Sequence, residues 1–192
     1  MMNLMRAIAV FLVVGSMAAP AFSEAPATRP DDLKTMLKGK DSFVVSPPSG
    51  WTVDIDDANA REMYAYFVVK GYTFETSPGV IYIRLMDKMG LTVSDHLKAD
   101  MDYYRKDNAK VKFETFKVSG LHYTYAAKKY RIKDKSCDYV CYIDPDKEQQ
   151  SFLIFVLTAK EKNCSKYEDL FVDMLKSFSW GNKEPAPAPS PQ

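Results

Sequence analysis

The pattern of apolar and polar positions is clearest between Ser151 and Trp180. Phe152 to Leu157 is an unbroken apolar run. A strand with one wet face alternates, so this run predicts a strand covered on both faces, near the middle of a sheet. Its β-branched and aromatic content, and the polar Lys160-Glu161-Lys162-Asn163 that follows, favour a strand over a buried helical turn. Beyond that turn, Tyr167, Leu170, Phe171, Met174, Leu175 and Phe178 recur at steps of three and four, which is one face of a helix. Ser165 with Glu168 predicts a capping box at its start, and Gly181 a stop just past its end.

Upstream, Asp31 to Leu37 predicts two helical turns with Leu33, Met36 and Leu37 on one side. Phe43 to Val45 opens a strand, Pro47 to Gly50 is a tight turn, and Trp51 to Asp54 is extended again. Asp56 to Arg61 is a loop or a helical turn. Met63 to Val69 and Val80 to Met86 predict strands joined by a loop from Gly71. A helix is predicted from Thr92 to about Asp107, with Thr92 and Asp95 as a capping pair and Val93, Leu97, Met101 and Tyr104 as its apolar face. Lys110 to Val118 alternates as a strand, with a bulge expected at Glu114-Thr115. Ser119-Gly120 turns the chain into a long strand, Leu121 to Ile132. Tyr139 to Ile143 pairs with the 151–158 strand through the polar loop Asp144 to Gln150. Strands, a helix, more strands and a last helix predict class α+β, a mainly antiparallel sheet flanked by helices.

The ends differ in character from this middle. Met1 to Arg6 is short and basic, Ala7 to Val14 is apolar, and Gly15 to Ser23 is rich in small residues. This is the layout of a secretory signal peptide, residues 1–23, with cleavage expected between Ser23 and Glu24 and with Ala25 or Ala27 as alternatives. Residues 24–40 form a polar lead-in to a single domain over 41–180. Residues 181–192, ending Lys-Glu-Pro-Ala-Pro-Ala-Pro-Ser-Pro-Gln, form a Pro/Ala-rich tail of disordered or polyproline-like character. No later apolar run approaches ~20 residues, so no transmembrane segment is expected in the mature chain.

Removing the first 23 residues takes only Arg6 from the 26 basic residues. Basic and acidic residues then balance at 25 each. A net charge of zero offers no electrostatic reason for nucleic acid or an anionic membrane as partner.

Three cysteines remain, Cys137, Cys141 and Cys164. In an oxidising compartment that is one disulfide and one thiol. Two cysteines four apart on one strand have Cα atoms ~13 Å apart, too far to bond. Cys164 therefore pairs with one of them. The hairpin joining the last two strands brings Cys137 near it, so Cys137–Cys164 is preferred, with Cys141 free and buried. A redox or zinc site lacks C-x-x-C spacing and a nearby histidine.

The order of these signals resembles a known family. Phe43-Val-Val-Ser-Pro-Pro-Ser-Gly-Trp51 is similar to its F-x-x-x-x-P-x-G-W opening. The Val80-Ile-Tyr-Ile83 strand before a helix that follows Thr92-Val-Ser94, the Val118-Ser-Gly120 turn before a strand with Ala126-Ala127, and the final Phe171-Val-Asp-Met-Leu-Lys-Ser-Phe178 follow in the same order. Together they resemble the PsbP-like fold over Asp41 to Trp180. That fold is shared by an oxygen-evolving accessory subunit of photosystem II, a small nuclear-import factor that binds Ran, and bacterial envelope proteins of the DcrB type. The resemblance implies an antiparallel sheet flanked by helices and non-enzymatic accessory or binding roles. The cysteines and the tail depart from the family pattern, and fold alone does not assign function.

The chemistry-bearing residues are sparse. His96 is expected on the exposed side of a first helical turn, and His122 on a strand beside tyrosines. No serine or cysteine nucleophile has an elbow or a local histidine, and no phosphate-cradling glycine loop occurs, so no catalytic or cofactor-binding residue is assigned. Asp54, Asp56 and Asp57, and Asp144, Asp146 and Glu148, are groups of oxygen ligands. The second lacks the glycine and the closing glutamate of a calcium loop, and neither is assigned a metal. Tyrosine is the unusual residue. Tyr64 with Tyr66, and Tyr123 with Tyr125, are expected to project from their strands and, where the strands share a face, to form a patch for a protein partner. The reading this supports is an exported, periplasmic or secreted, non-enzymatic accessory protein that binds an unidentified envelope protein. A small-ligand or metal carrier is the alternative, and a hydrolase with a dispersed site comes after it.

Overall fold

In a computed structural model of the chain, residues 35–37, 43–107, 110–132 and 135–181 are described. All of them belong to the compact unit Asp31–Gln192. The expected signal peptide with its Ser23/Glu24 junction, most of the lead-in, and the tail beyond Gly181 lie outside the described residues.

The strands are β1 (Thr35–Leu37), β2 (Phe43–Val45), β3 (Trp51–Asp54), β4 (Ala65–Val69), β5 (Gly79–Asp87), β6 (Val111–Thr115), β7 (Thr124–Ile132), β8 (Ser136–Asp144), β9 (Ser151–Lys160) and β10 (Ser179–Trp180). The helices are α1 (Asp56–Ala60), α2 (Val93–Asp107) and α3 (Cys164–Lys176). Seven strands form one sheet in the order β3-β4-β5-β9-β8-β7-β6, and three form a small sheet, β1-β2-β10. Every pairing is antiparallel. The α+β arrangement implied by the PsbP-like resemblance, an antiparallel sheet with helices against it, is the one observed.

The Phe152–Leu157 run lies where its composition demands, on the central strand, between β5 and β8. Leu153, Phe155 and Leu157 face one way and are fully buried. Phe152, Ile154 and Val156 face the other and are at most 5 % exposed. Strand alternation thus feeds two cores. On the first face α3, with Tyr167, Phe171, Met174 and Leu175, and the small sheet, with Phe43, cover Ile83, Tyr139, Cys141 and Phe155. On the second, α2 covers Tyr130, Val140, Tyr142 and Val156 with Val93, Leu97, Met101 and Tyr104. The short α1 closes the same face further along, over Tyr66, Val68 and Val80.

Several local expectations are corrected. The stretch expected as helical turns holds a strand instead, β1, since Thr35 to Leu37 pair backbone-to-backbone with β2. The Ser165–Glu168 capping box does not form. The helix starts at Cys164 with no side-chain cap, and Glu168 is drawn away to accept from the Tyr139 hydroxyl at 2.7 Å and Lys129 Nζ at 3.1 Å. Gly181 does not end α3, which stops at Lys176; it turns the chain after β10 with φ 69°. β6 ends at Thr115 without a bulge. Phe116 leaves the strand to meet Tyr139 and Phe171, with ring centroids 5.2 and 6.0 Å apart. The capping pair of α2 does form. Asp95 N–H donates to Thr92 Oγ1 at 3.2 Å, and Thr92 N–H to Asp95 Oδ2 at 3.0 Å.

Candidate functional site

The connections from β5 to α2 and from β8 to β9 meet at one end of the large sheet. The β5–α2 connection begins with a tight turn, Lys88-Met89-Gly90-Leu91, closed by Leu91 N–H donating to Lys88 O at 2.8 Å. Both central residues have positive φ, Met89 at 50° and Gly90 at 76°. Such a turn wants Asn or Gly at its centre, and a methionine there is held in a conformation that costs it energy. The side chain gains nothing from the core, being 77 % exposed, and Leu91 beside it is 46 % exposed.

Below this apolar tip lies an open cleft of about 420 Å³. Its walls include Leu91, Thr92 and Val93 on one side and Asp144, Lys147 and Gln150 on the other. The two connections are tied together by Lys88. Its Nζ pairs with Asp144 Oδ1 at 2.8 Å and donates to Asp146 O at 2.8 Å. His96 anchors the turn from the helix side. It is 9 % exposed, with Nε2 3.0 Å from Lys88 O and its ring edge-on to Phe152 at 5.0 Å. This corrects the expectation of an exposed His96: the α2 face that carries Val93 carries His96 too. His122 is exposed.

Behind the cleft, α2 is joined to the sheet by a reciprocal pair of hydrogen bonds. The helix carboxylate Asp100 accepts from the sheet hydroxyl Tyr130 at 2.8 Å. The helix hydroxyl Tyr104 donates to the sheet carboxylate Asp138 at 3.0 Å. Asp100 and Tyr104 are one helical turn apart, Tyr130 and Asp138 are a cross-strand pair, and the rings of Tyr104 and Tyr130 stack at 4.5 Å. Burial pushes both carboxyls up, that of Asp100 to about 6, with the charge of Asp138 adding to the rise. Burial also raises Tyr82, Tyr104, Tyr130 and Tyr142 on this face.

Three of the four tyrosines expected to form a patch, Tyr64, Tyr123 and Tyr125, pack against the core on the α3 side, Tyr64 from a position just before β4. Tyr66, within the strand, faces the other side and is 5 % exposed. The strand begins at Ala65, two residues later than expected, so Tyr64 falls outside it and the pair splits across the sheet. The hydroxyls serve the fold as well. Tyr66 donates to Asp57 at 2.9 Å, Tyr125 donates to Val118 O at 3.2 Å, and Tyr123 accepts from Trp180 N–H at 2.9 Å.

The acidic groups are engaged too. Asp54 Oδ1 accepts from Asp57 N–H at 2.9 Å at the start of α1, and Asp57 pairs with Arg61 at 2.7 Å, a hydrogen bond that holds its carboxyl below the usual range. Asp146 Oδ1 accepts from Glu148 N–H at 3.0 Å. Among the described residues no three His, Cys, Asp or Glu side chains are grouped to hold a metal ion. Cys137 and Cys164 form a disulfide, with Cα atoms 6.1 Å apart. Cys141 is a buried thiol whose pKa burial raises.

Two features of this end were missed from sequence. The Met89-Gly90 turn had a weak signal, a glycine after the strand beside an unmatched methionine. The carboxylate pair had a stronger one: Asp138 is an acid inside an otherwise apolar strand, and Asp100 and Tyr104 are four apart on the apolar face of a helix.

No protein-family model and no curated relative matches the chain. Solved structures similar to it include cyanobacterial PsbP (CyanoP) from Synechocystis, with 14 % identity and TM-score 0.47 over 71 % of this chain and 85 % of that one. LpqN, involved in cell envelope biogenesis of Mycobacterium tuberculosis, is similar at 12 % identity and TM-score 0.49, over 73 % of this chain and 83 % of that one. The Ran-binding protein Mog1p of Saccharomyces cerevisiae is similar at 12 % identity and TM-score 0.44, over 71 % and 89 %.

Proposed function

We infer that this is an exported, non-enzymatic accessory protein of the bacterial envelope, acting through a protein–protein contact made by the sheet end that carries Met89 and Leu91. The observation that carries the reading is Met89 itself. A methionine 77 % exposed in a left-handed turn costs stability and returns none to the fold. Backbone strain that the fold does not repay is a pointer to function. Methionine and leucine beside a polar-rimmed cleft are side chains that adapt to a partner surface. The half-buried Tyr123, next to Thr124 of the cleft wall, is the tyrosine of the expected partner face that this reading retains. Export is supported by the signal-like residues 1–23 and by the Cys137–Cys164 disulfide, which is a bond of oxidising compartments.

Affinity capture of the tagged mature protein from envelope extract tests it. A stoichiometric partner retained by the parent protein and lost with Met89→Asp/Leu91→Ser, at unchanged melting temperature, is expected. A partner retained equally by the variant would remove this surface from the reading, and no partner at native expression would remove the reading itself.

A further inference from the structure

The Asp100–Tyr130 and Tyr104–Asp138 pairs are more than packing. Each joins a carboxylate to a tyrosine hydroxyl across the α2–sheet boundary, Asp100 half-buried on the helix and Asp138 buried on the sheet, where Thr158 also hydrogen-bonds to it. The sheet face beneath α2 carries further polar groups. From β5 it receives Tyr82 and Arg84, the guanidinium lying 5.7 Å over the Tyr82 ring. From β7 the register places Lys128 on this face, two residues from Tyr130. From β8 come Asp138 and Tyr142, from β9 Thr158 opposite Asp138, and from α2 itself His96, stacked on Tyr142 at 6.3 Å. Two carboxylates, one on the helix and one on the sheet it covers, each tied to a hydroxyl of the other element, are a site where adding protons and seating the helix are linked.

We propose that the crossed Asp100–Tyr130 and Tyr104–Asp138 pairs form a proton-tightened latch, which seats α2 on the sheet in mild acid and loosens it as the pH rises. α2 begins at the cleft wall, at Thr92 and Val93, and its His96 holds Lys88 O, so loosening it loosens the Lys88–Leu91 turn as well. The sign follows from the direction of the shifts. Both carboxyls bind protons more tightly when α2 is seated than when they are hydrated. Seating is therefore strongest below the ordinary aspartate range near 3.8 and weakens as pH rises, with the Asp100 share lost through about 6.

Amide hydrogen exchange of the mature protein at pH 4.5 and pH 7.5, corrected for intrinsic exchange, reads the latch directly. Protection of the α2 amides should fall by about tenfold to a hundredfold at the higher pH, each unit of pKa difference being a factor of ten. Protection of α3 should change much less. Asp100→Asn should abolish most of that difference, and Asp138→Asn the rest. Equal loss of protection in α2 and α3, or no loss in α2, would overturn the latch. So would an undiminished pH response in Asp100→Asn. If Asp138→Asn does not fold, the parent protein and Asp100→Asn still decide the matter.

Discussion

The ring of Tyr167 lies directly on Gly79. A methyl group added to that Cα would sit 2.7 Å from Cδ2 and Cε2 of the ring. Trp51 meets the same ring edge-on at 5.2 Å. Helix α3 is thereby seated on the start of β5 through a residue whose lack of a side chain is the contact. Gly79→Ala should destabilise by about 1–3 kcal/mol, the usual cost of overpacking. Adding Tyr167→Leu should recover part of that, because the two positions share one space. Urea unfolding of the single and double variants measures it. Additive losses would show that the glycine is kept for another reason.

The Cys137–Cys164 bond closes a sequence separation of 27 residues around β9. Its removal by a Cys137→Ser/Cys164→Ser double change should cost about 3–4 kcal/mol, by restoring freedom to the unfolded chain. Urea midpoints with and without reductant check this. Cys141, buried and with its thiol pushed up, should resist alkylation until the chain unfolds.

Thermal stability should depend on pH in an unusual direction. Exposed carboxylates such as Asp57 and Asp95 are held below their ordinary range by hydrogen bonds, and their contribution is lost only in strong acid. Asp100 and Asp138 are raised by burial, so their contribution is greatest below about pH 4 and declines as pH rises, that of Asp100 through about 6. The melting temperature should therefore fall between pH 4.5 and 7, and Asp138→Asn should flatten that fall. A melting temperature that climbs across this window in the parent protein would contradict the burial of the pair.

Met89→Gly should raise stability by about 0.5–1 kcal/mol, since glycine occupies a left-handed turn without strain. The same change should weaken partner capture. Stabilisation with full capture would mean that the strained methionine serves neither fold nor partner.

The fold was largely legible because it rests on two periodicities. The unbroken 152–157 run and the helical stripe from Tyr167 to Phe178 are local signals, and they placed the central strand and α3. The Cys137–Cys164 preference followed from the same hairpin. The site was legible only in part, because its residues owe their roles to distant elements. Asp100 and Asp138 meet partners 30 and 34 residues away, and Glu168 serves Tyr139 in place of its own helix end. Tyr64 and Tyr66 failed as a pair for a smaller reason. Side chains alternate only within a strand, and Tyr64 lies just outside one.

The most direct test is photo-crosslinking in intact cells from an unnatural side chain at position 91, with position 72 as control. Tyr72 is similarly exposed, at 49 % against 46 % for Leu91, but lies on the β4–β5 loop rather than at the cleft. A discrete adduct with one envelope protein from position 91 and none from position 72 is the expected result. No adduct at position 91, or the same adducts at both, would contradict a partner-binding role for this end of the sheet.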